Sequence, residues 1–360
     1  MVESGQATKD VNQPATMDQY NQHIPDPPFE ETYKDLFLKH SVTPIAGNPM
    51  ATAVEELELP LVDLGWLAGD REDDERQRCK REIAEASKEW GFFQVVNHGI
   101  SQEILDEMRR EQVKVFREPF YKKKGDKCMN LSLSPGSYRW GTPTATCLGQ
   151  LSWSEAFHIP LTDISADCGS PKLSSIVKQF AMKVSELAQN LVQILATELS
   201  NKEESTSFFE ENCLPISCYL RMNRYPSCPK YFQVFGLMPH TDSDFLTILY
   251  QDQVGGLQLV KDGKWIAVKP NPKALIVNIG DLFEAWSNGI YKSVEHRVVT
   301  SQKAERFSTA YFVCPSYDAV IQSCKEPSIY RKFSFGEYRK QVQDDVRKLG
   351  YKIGLPHFLC

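Results

Sequence analysis

The sequence predicts an α+β fold with a mainly β core: a jelly roll preceded by helices and followed by one more. Three observations lead there. Up to about residue 200, long segments carry apolar residues at helical spacing. After about residue 215, short β-rich runs alternate with turn signals at a spacing that suits a sandwich or barrel. The charged tail from Glu337 then reads as helix again. With 360 residues, of which 41% are hydrophobic, the chain has material for a sizeable core and, by length, about two domains.

Taken in order, residues 1–30 are polar and proline-bearing and read as a flexible leader. Leu59 to Leu64 form a short apolar strand closed by Gly65. Residues 70–90 read as a helix capped by Asp70, with Cys79, Ile83, Ala84 and Ala86 on its buried side. Gly91 ends that helix, and Phe92 to Val96 follow as a strand of aromatic and β-branched residues. Ser101 opens a second helix carrying Ile104, Leu105, Met108, Val113 and Phe116. A third, over 172–200, carries Leu173, Ile176, Val177, Phe180, Val184, Leu187, Leu191 and Ile194. Strands are expected at 216–225, 245–250, 257–260, 265–268, 274–279, 293–299 and 307–313. Gly255-Gly256, Asp262-Gly263, Pro270-Asn271-Pro272 and Asn288-Gly289 mark turns between them. The expected division is a leader over 1–50, an N-terminal helical domain over 51–205, a jelly-roll catalytic domain over 206–335, and a C-terminal helix and tail over 336–360.

A net charge of −6 with no basic stripe argues against a nucleic-acid partner. No apolar run approaches the roughly 20 residues needed to span a bilayer. The first 28 residues lack the apolar segment of a signal peptide and carry acidic residues unlike a transit peptide. Ten scattered cysteines without a C-x-x-C pair read as reduced, mostly buried thiols. The sequon Asn130-Leu131-Ser132 is then accidental, and the expected compartment is the cytoplasm, with the nucleus also open. Signatures of dinucleotide, nucleoside triphosphate, serine-hydrolase and zincin chemistry are absent.

One constellation carries chemistry. On an extended chain, His240 and Asp242 share a face and can grip one ion together. His296, on a later β-type run, completes a set of two imidazoles and one carboxylate. That set leaves three positions open on a six-coordinate Fe(II), and zinc remains the chemical rival. Arg306 and Ser308 also share a face and present a guanidinium fork and a hydroxyl to a carboxylate. The natural ligand is a dicarboxylic keto acid, chelating the metal at one end and meeting Arg306 at the other. On the strand over 217–225, alternation puts Ser217, Tyr219, Arg221, Asn223 and Tyr225 on one face. Tyr225 could donate to the keto acid or serve as a core tyrosine.

These residues resemble the plant 2-oxoglutarate and Fe(II)-dependent dioxygenases over about residues 55–335. The run from Phe92 to Ile100 resembles that family's N-terminal signature. Asn223-Arg224-Tyr225-Pro226, His240-Thr241-Asp242, Gly255-Gly256-Leu257-Gln258, Asn278-Ile279-Gly280-Asp281, His296 and Arg306-Phe307-Ser308 match its catalytic domain in order. The resemblance implies a double-stranded β-helix (jelly roll, cupin-like) core. It implies Fe(II) on His240, Asp242 and His296, and 2-oxoglutarate on Arg306 and Ser308 with help from Tyr225 and Asn223. Oxygen is the co-substrate, succinate and CO2 are products, and ascorbate is an expected aid.

Within the family the chain is most similar to gibberellin 2-oxidases, in particular those acting on C20 precursors. Ser137-Tyr138-Arg139-Trp140-Gly141, Pro239 to Thr247 and Asp281 to Gly289 carry that likeness. It implies 2β-hydroxylation of a gibberellin-like carboxylic acid in an apolar pocket, with Tyr138, Trp140, Arg221 and Phe312 near substrate. Sister reactions on a flavonoid, on auxin or at another gibberellin position share this scaffold. A non-catalytic small-molecule-binding jelly roll is the reading from a different class. Among the other histidines, His98 is expected to be structural, and His23, His40, His158 and His357 unrelated to the metal. The sequence does not fix an oligomeric state.

Overall fold

The computed structural model describes residues 26–41, 54–69, 72–125, 136–164, 171–200, 203–228 and 234–360. In chain order the first elements are α1 (Phe29–Thr32), α2 (Lys34–Ser41), β1 (Glu56–Leu57), β2 (Leu61–Asp63), α3 (Asp73–Glu89), β3 (Phe92–Val96), α4 (Gln102–Arg117) and α5 (Phe120–Lys124). Next come β4 (Tyr138–Trp140), β5 (Glu155–Pro160), α6 (Pro171–Leu199), α7 (Glu203–Asn212), β6 (Tyr219–Tyr225), β7 (Phe235–His240), β8 (Leu246–Gln251), β9 (Leu257–Lys261) and β10 (Lys264–Val268). The chain ends through β11 (Leu275–Ile279), α8 (Asp281–Trp286), β12 (His296–Val299), β13 (Arg306–Val313), β14 (Val320–Ile321), β15 (Phe333–Ser334) and α9 (Phe335–Leu349).

Two sheets form the jelly roll. One has the order β1-β10-β9-β12-β7, the other β2-β3-β11-β8-β13-β6-β5-β4. Strands from both the 51–205 and the 206–335 segments therefore build the larger sheet. Leu257, Leu259 and Val298 of the small sheet pack with Phe92, Tyr225 and Ile276 of the large one, so the sheets face each other. The opposite face of the large sheet is covered by α6, where the Tyr311 hydroxyl meets Ser185 at 3.0 Å. Along α6 the stripe from Leu173 to Leu191 is buried as its spacing predicts, with Val192 and Leu195 buried beside a half-buried Ile194.

Several local expectations change. Within the stretch expected as a leader, α1 and α2 bury Phe29, Tyr33, Leu36 and Phe37. Phe29 stacks on Trp153 at 4.6 Å, so its aromatic residues give this segment a docking site. The rest of the leader up to residue 25, the sequon and Asp70 lie outside the described residues. The helix expected from residue 70 begins at Asp73, with Glu72 in the capping position and no side-chain cap. Ser101 caps α4 as expected, accepting from the Ile104 N–H at 3.4 Å. Ser334 caps α9, which starts two residues before Glu337.

The run over 216–225 is shortened because Pro215–Ser217 forms a 3-10 turn, and the run over 293–299 becomes a strand only at His296. Strands β4, β5 and β7 were not expected. Strand β7 contains Gly236 and Pro239 and lies at the edge of its sheet, where a proline is tolerated. Gly236 has its own reason. A Cβ there would come within 2.4 Å of the Tyr225 ring, so only glycine lets the two sheets close at this point.

Candidate active site

The cavity of about 190 Å³ between the two sheets is lined on one wall by alternate residues of two paired strands. Tyr219, Arg221, Asn223 and Tyr225 come from β6, and Arg306, Ser308, Ala310 and Phe312 from β13. The antiparallel register sets Arg306 opposite Tyr225, Ser308 opposite Asn223, and Phe312 opposite Tyr219. A period of two delivers both sets inward together. Ser217, placed on that face by alternation, precedes the strand and instead donates to the Cys314 carbonyl at 2.6 Å.

His240 ends β7 and His296 begins β12, and the two are paired across the small sheet. Asp242 lies past the strand end in the turn before β8, yet still points back at both rings. Its Oδ1 is 3.6 Å from His240 Nε2 and 3.7 Å from His296 Nε2. The three ligand atoms lie within 4.8 Å of one another. Each imidazole is oriented by its own strand: Nδ1 of His240 meets the Met238 carbonyl at 2.7 Å, and Nδ1 of His296 meets that of Val294 at 3.0 Å. A carbonyl only accepts, so Nδ1 carries the proton and Nε2 offers its lone pair to the centre. Burial, followed by the neighbouring His240, pushes the His296 imidazole down to about 4, so it is neutral at pH 7.

The second Asp242 oxygen accepts from Thr247 Oγ1 at 2.7 Å and Asn278 Nδ2 at 2.8 Å. Burial alone would raise the pKa of Asp242, but the His296 and His240 imidazoles and the Asn278 hydrogen bond hold it well below the usual carboxylate range. Burial, reinforced by the Asp242 charge, raises that of Asp244, whose Oδ2 shares the Thr247 hydroxyl at 3.1 Å. Gly280 permits this packing, since a Cβ there would be 2.2 Å from the Asp244 carbonyl.

Across the cavity, Arg306 is buried without a carboxylate partner among the described residues. It donates to Gln251 Oε1 at 2.7 Å and Ser308 Oγ at 3.3 Å, its guanidinium carbon lies 4.9 Å from the centre of the Tyr225 ring, and Nε has no partner. Asn223 Nδ2 reaches Ser308 Oγ at 3.4 Å. Gln112 of α4 donates from behind to the Ser308 and Asn223 carbonyls, at 2.8 and 3.1 Å, and holds the strand pair together. A buried guanidinium facing only neutral groups fits a carboxylate ligand. Two imidazoles, each with Nε2 turned to the centre, and one carboxylate, gathered on one side of a cavity, fit a divalent iron with open positions.

Other expected residues divide. Arg221 and Phe312 line the cavity, whereas Tyr138 and Trp140 do not. The Tyr138 hydroxyl donates to Glu155 and its ring packs on Phe157 at 5.0 Å, while Trp140 packs against Phe29 and Phe120. These aromatics belong to the junction between the N-terminal helices and β5. His98 accepts from the Ile100 N–H at 3.3 Å, apart from the triad. His357 bonds Asp345 at 3.0 Å, again apart from it; His23 lies outside the described residues, and so does the side chain of His40.

Sequence reasoning missed Arg339 of α9, which lines the cavity and has no carboxylate partner among the described residues. His158, expected to be unrelated to the metal, stacks on Tyr219 at 4.0 Å, apart from the triad, while Tyr219 in turn stacks on Phe312 at 4.5 Å. Burial, then the charges of Arg221, Arg139 and Arg339, push His158 down to about 4. Of these three, Arg221 and Arg339 line the same cavity, and no sequence motif signals Arg339.

Residues 216–315 match the family model described as 2OG-Fe(II) oxygenase superfamily, and residues 59–171 match the one described as non-haem dioxygenase in morphine synthesis N-terminal. The chain is 60% identical to gibberellin 2-beta-dioxygenase 8 of Arabidopsis thaliana, covering 93% of this chain and 98% of that one. It is 50% identical to gibberellin 2-beta-dioxygenase 6 of Oryza sativa subsp. japonica, covering 92% and 96%. Among solved structures, JOX2 in complex with 2OG, Fe and JA superposes with a TM-score of 0.69 at 28% identity, covering 94% of this chain and 99% of that one. The dioxygenase for auxin oxidation in rice gives 0.68 at 27%, covering 84% and 100%.

Proposed function

Because the chain belongs to the 2OG-Fe(II) oxygenase superfamily, we propose that it hydroxylates a gibberellin at the 2β position, with C20 precursors as its first substrates. His240, Asp242 and His296 would hold the iron, and Arg306 with Ser308, Asn223 and Tyr225 the far carboxylate of 2-oxoglutarate. Iron bound there with 2-oxoglutarate and O2 supplies the oxidation, in which the keto acid yields succinate and CO2 and one oxygen enters a substrate C–H bond. The protein's own residues bind and aim. Arg306 would neutralise the far carboxylate of the keto acid, and Gln251 and Ser308 keep the guanidinium plane turned toward it. Asn278 and Thr247 occupy one Asp242 oxygen and leave the other for the metal.

At the other end of the cavity, Arg221 and Arg339 would meet the substrate carboxylate while Phe312 and Tyr219 pack on its rings. The observation that carries the substrate reading is the near full-length identity to gibberellin 2-beta-dioxygenases, to which two guanidiniums that line the cavity, Arg221 and Arg339, add chemical sense. The same reading places the enzyme in a reducing cytoplasm, where iron stays ferrous. Among the described residues no helix is long and apolar enough to cross a membrane.

The test is an assay of purified protein with Fe(II), 2-oxoglutarate and ascorbate against a C20 gibberellin, a C19 gibberellin, a flavanone and indole-acetic acid. The expected result is a 2β-hydroxylated C20 product with one succinate per turnover. Turnover of the flavanone or the auxin alone would overturn the substrate.

A further inference from the structure

Asp281, the first residue of α8, stands between the two segments that bear the candidate ligands. Its backbone N–H donates to the Asp242 carbonyl at 2.9 Å. Its buried carboxylate collects Thr241 Oγ1 at 3.1 Å, Ser293 Oγ at 2.6 Å, the Tyr338 hydroxyl, and Lys352 Nζ at 2.5 Å. Thr241 adjoins Asp242, and Ser293 lies three residues before His296, so one carboxylate ties both ligand segments together. Lys352 adds a second grip. Its ammonium, on a side chain 9% exposed, donates to the Thr241 carbonyl at 2.9 Å and to Ser243 Oγ at 3.0 Å, on either side of Asp242. The lysine reaches this place because Gly350 ends α9 in a left-handed conformation (φ 82°) and turns the chain back toward the jelly roll.

We propose that the Asp281–Lys352 ion pair is the positioning device of the metal centre. It holds the 241–243 turn and the 293–296 segment at the separation where the three ligand atoms converge, so metal affinity depends on a residue beyond the C-terminal helix. The proposal rests on reading His240, Asp242 and His296 as metal ligands. An ion pair that merely anchored the tail would change global stability alone. A positioning pair changes metal affinity even when stability is restored.

Mn(II) binding to the apo-protein, followed by loss of the free-ion EPR signal, separates the two without any turnover. Lys352→Met is expected to raise the Mn(II) Kd by about 10–100-fold, the usual effect of losing a partner that orients a metal ligand. The double variant Asp281→Asn/Lys352→Met leaves no unpaired buried charge. Its melting temperature should recover toward the parent while the Kd stays at least about tenfold raised. It also carries the test if Lys352→Met does not fold. A Kd within about twofold of the parent in the double variant would overturn the proposal. His296→Ala tests the underlying reading: Mn(II) binding as tight as the parent's would remove the triad itself, whatever the lysine does.

Discussion

Arg224 and Arg306 sit one register position apart on neighbouring strands and face opposite sides of the same sheet. Arg224, on the outer face, meets Glu155 at 2.7 Å, Asp26 at 2.6 Å and Glu305 at 2.9 Å. Glu155 also holds the fully buried Lys123 at 2.6 Å. Arg306, on the cavity side, meets an amide, a hydroxyl and an aromatic ring and no carboxylate among the described residues. Both guanidiniums are buried, so burial alone does not distinguish scaffold from site. The difference is whether the charge is already answered. A buried cation whose anion belongs to the chain is part of the framework, and one whose anion must arrive from outside marks a ligand site.

The contrast can be broken at several points. The largest effect is expected on the metal side of the cavity. Asp242→Ala or His296→Ala should abolish succinate release while circular dichroism shows a folded protein, and release at the parental rate would dismiss the triad. Next come the two cationic sites themselves. Glu155→Gln removes the buried carboxylate that Lys123 and Arg224 share, and denaturant unfolding should show a loss of about 3–5 kcal/mol. The 2-oxoglutarate requirement per folded molecule should stay put.

Arg306→Lys should do the reverse. The apparent KM for 2-oxoglutarate rises by about tenfold or more, because an ammonium cannot make the forked pair. Stability without ligand is kept, and so the melting shift produced by 2-oxoglutarate disappears. If both variants lowered stability alike and left the KM alone, the distinction drawn between the two arginines would fail.

A smaller effect is expected at the other end of the cavity. Arg339→Ala should raise the KM for an acidic substrate by about tenfold, a loss on the scale of one charge-assisted hydrogen bond, with the 2-oxoglutarate requirement unchanged. The smallest concerns His158, whose pKa is lowered from 6.5 in the unfolded chain to about 4 in the folded one. Between these values the unfolded state binds more protons, so this residue's share of stability is complete above pH 6.5 and is lost as pH falls toward 4. His158→Gln should flatten that acid limb of the melting curve, while the His296 share of it persists.

The portion of the site legible in sequence is the portion that depends on local periodicity. Two ligands separated by one residue, and two strands that alternate faces, need no knowledge of distant packing. The inward sets from Tyr219 to Tyr225 and from Arg306 to Phe312 were readable for that reason. Arg339 was not, because its place follows from how α9 docks, and no pattern around it announces that. Lys352 is similar: two of its partners, Thr241 and Ser243, precede it by 111 and 109 residues. Tyr138 and Trp140 show the opposite failure. They belong to a motif that carried the family resemblance, yet their rings pack into an aromatic junction with Phe29, Phe120 and Phe157. The edge strand β7 escaped because glycine and proline argue against a strand unless its place at the rim is known.

The brace from Lys352 also sets an order of events during synthesis. Lys352 follows Thr241 by 111 residues. At typical elongation rates the ribosome makes it roughly 5–20 s after the turn it will hold. Through that interval His240 and Asp242 exist without the lysine that fixes their loop. Iron should therefore be captured tightly only after α9 and the residues beyond it have emerged and folded back. On that proposal, a chain that stops short of Lys352 should hold metal more weakly than the full chain.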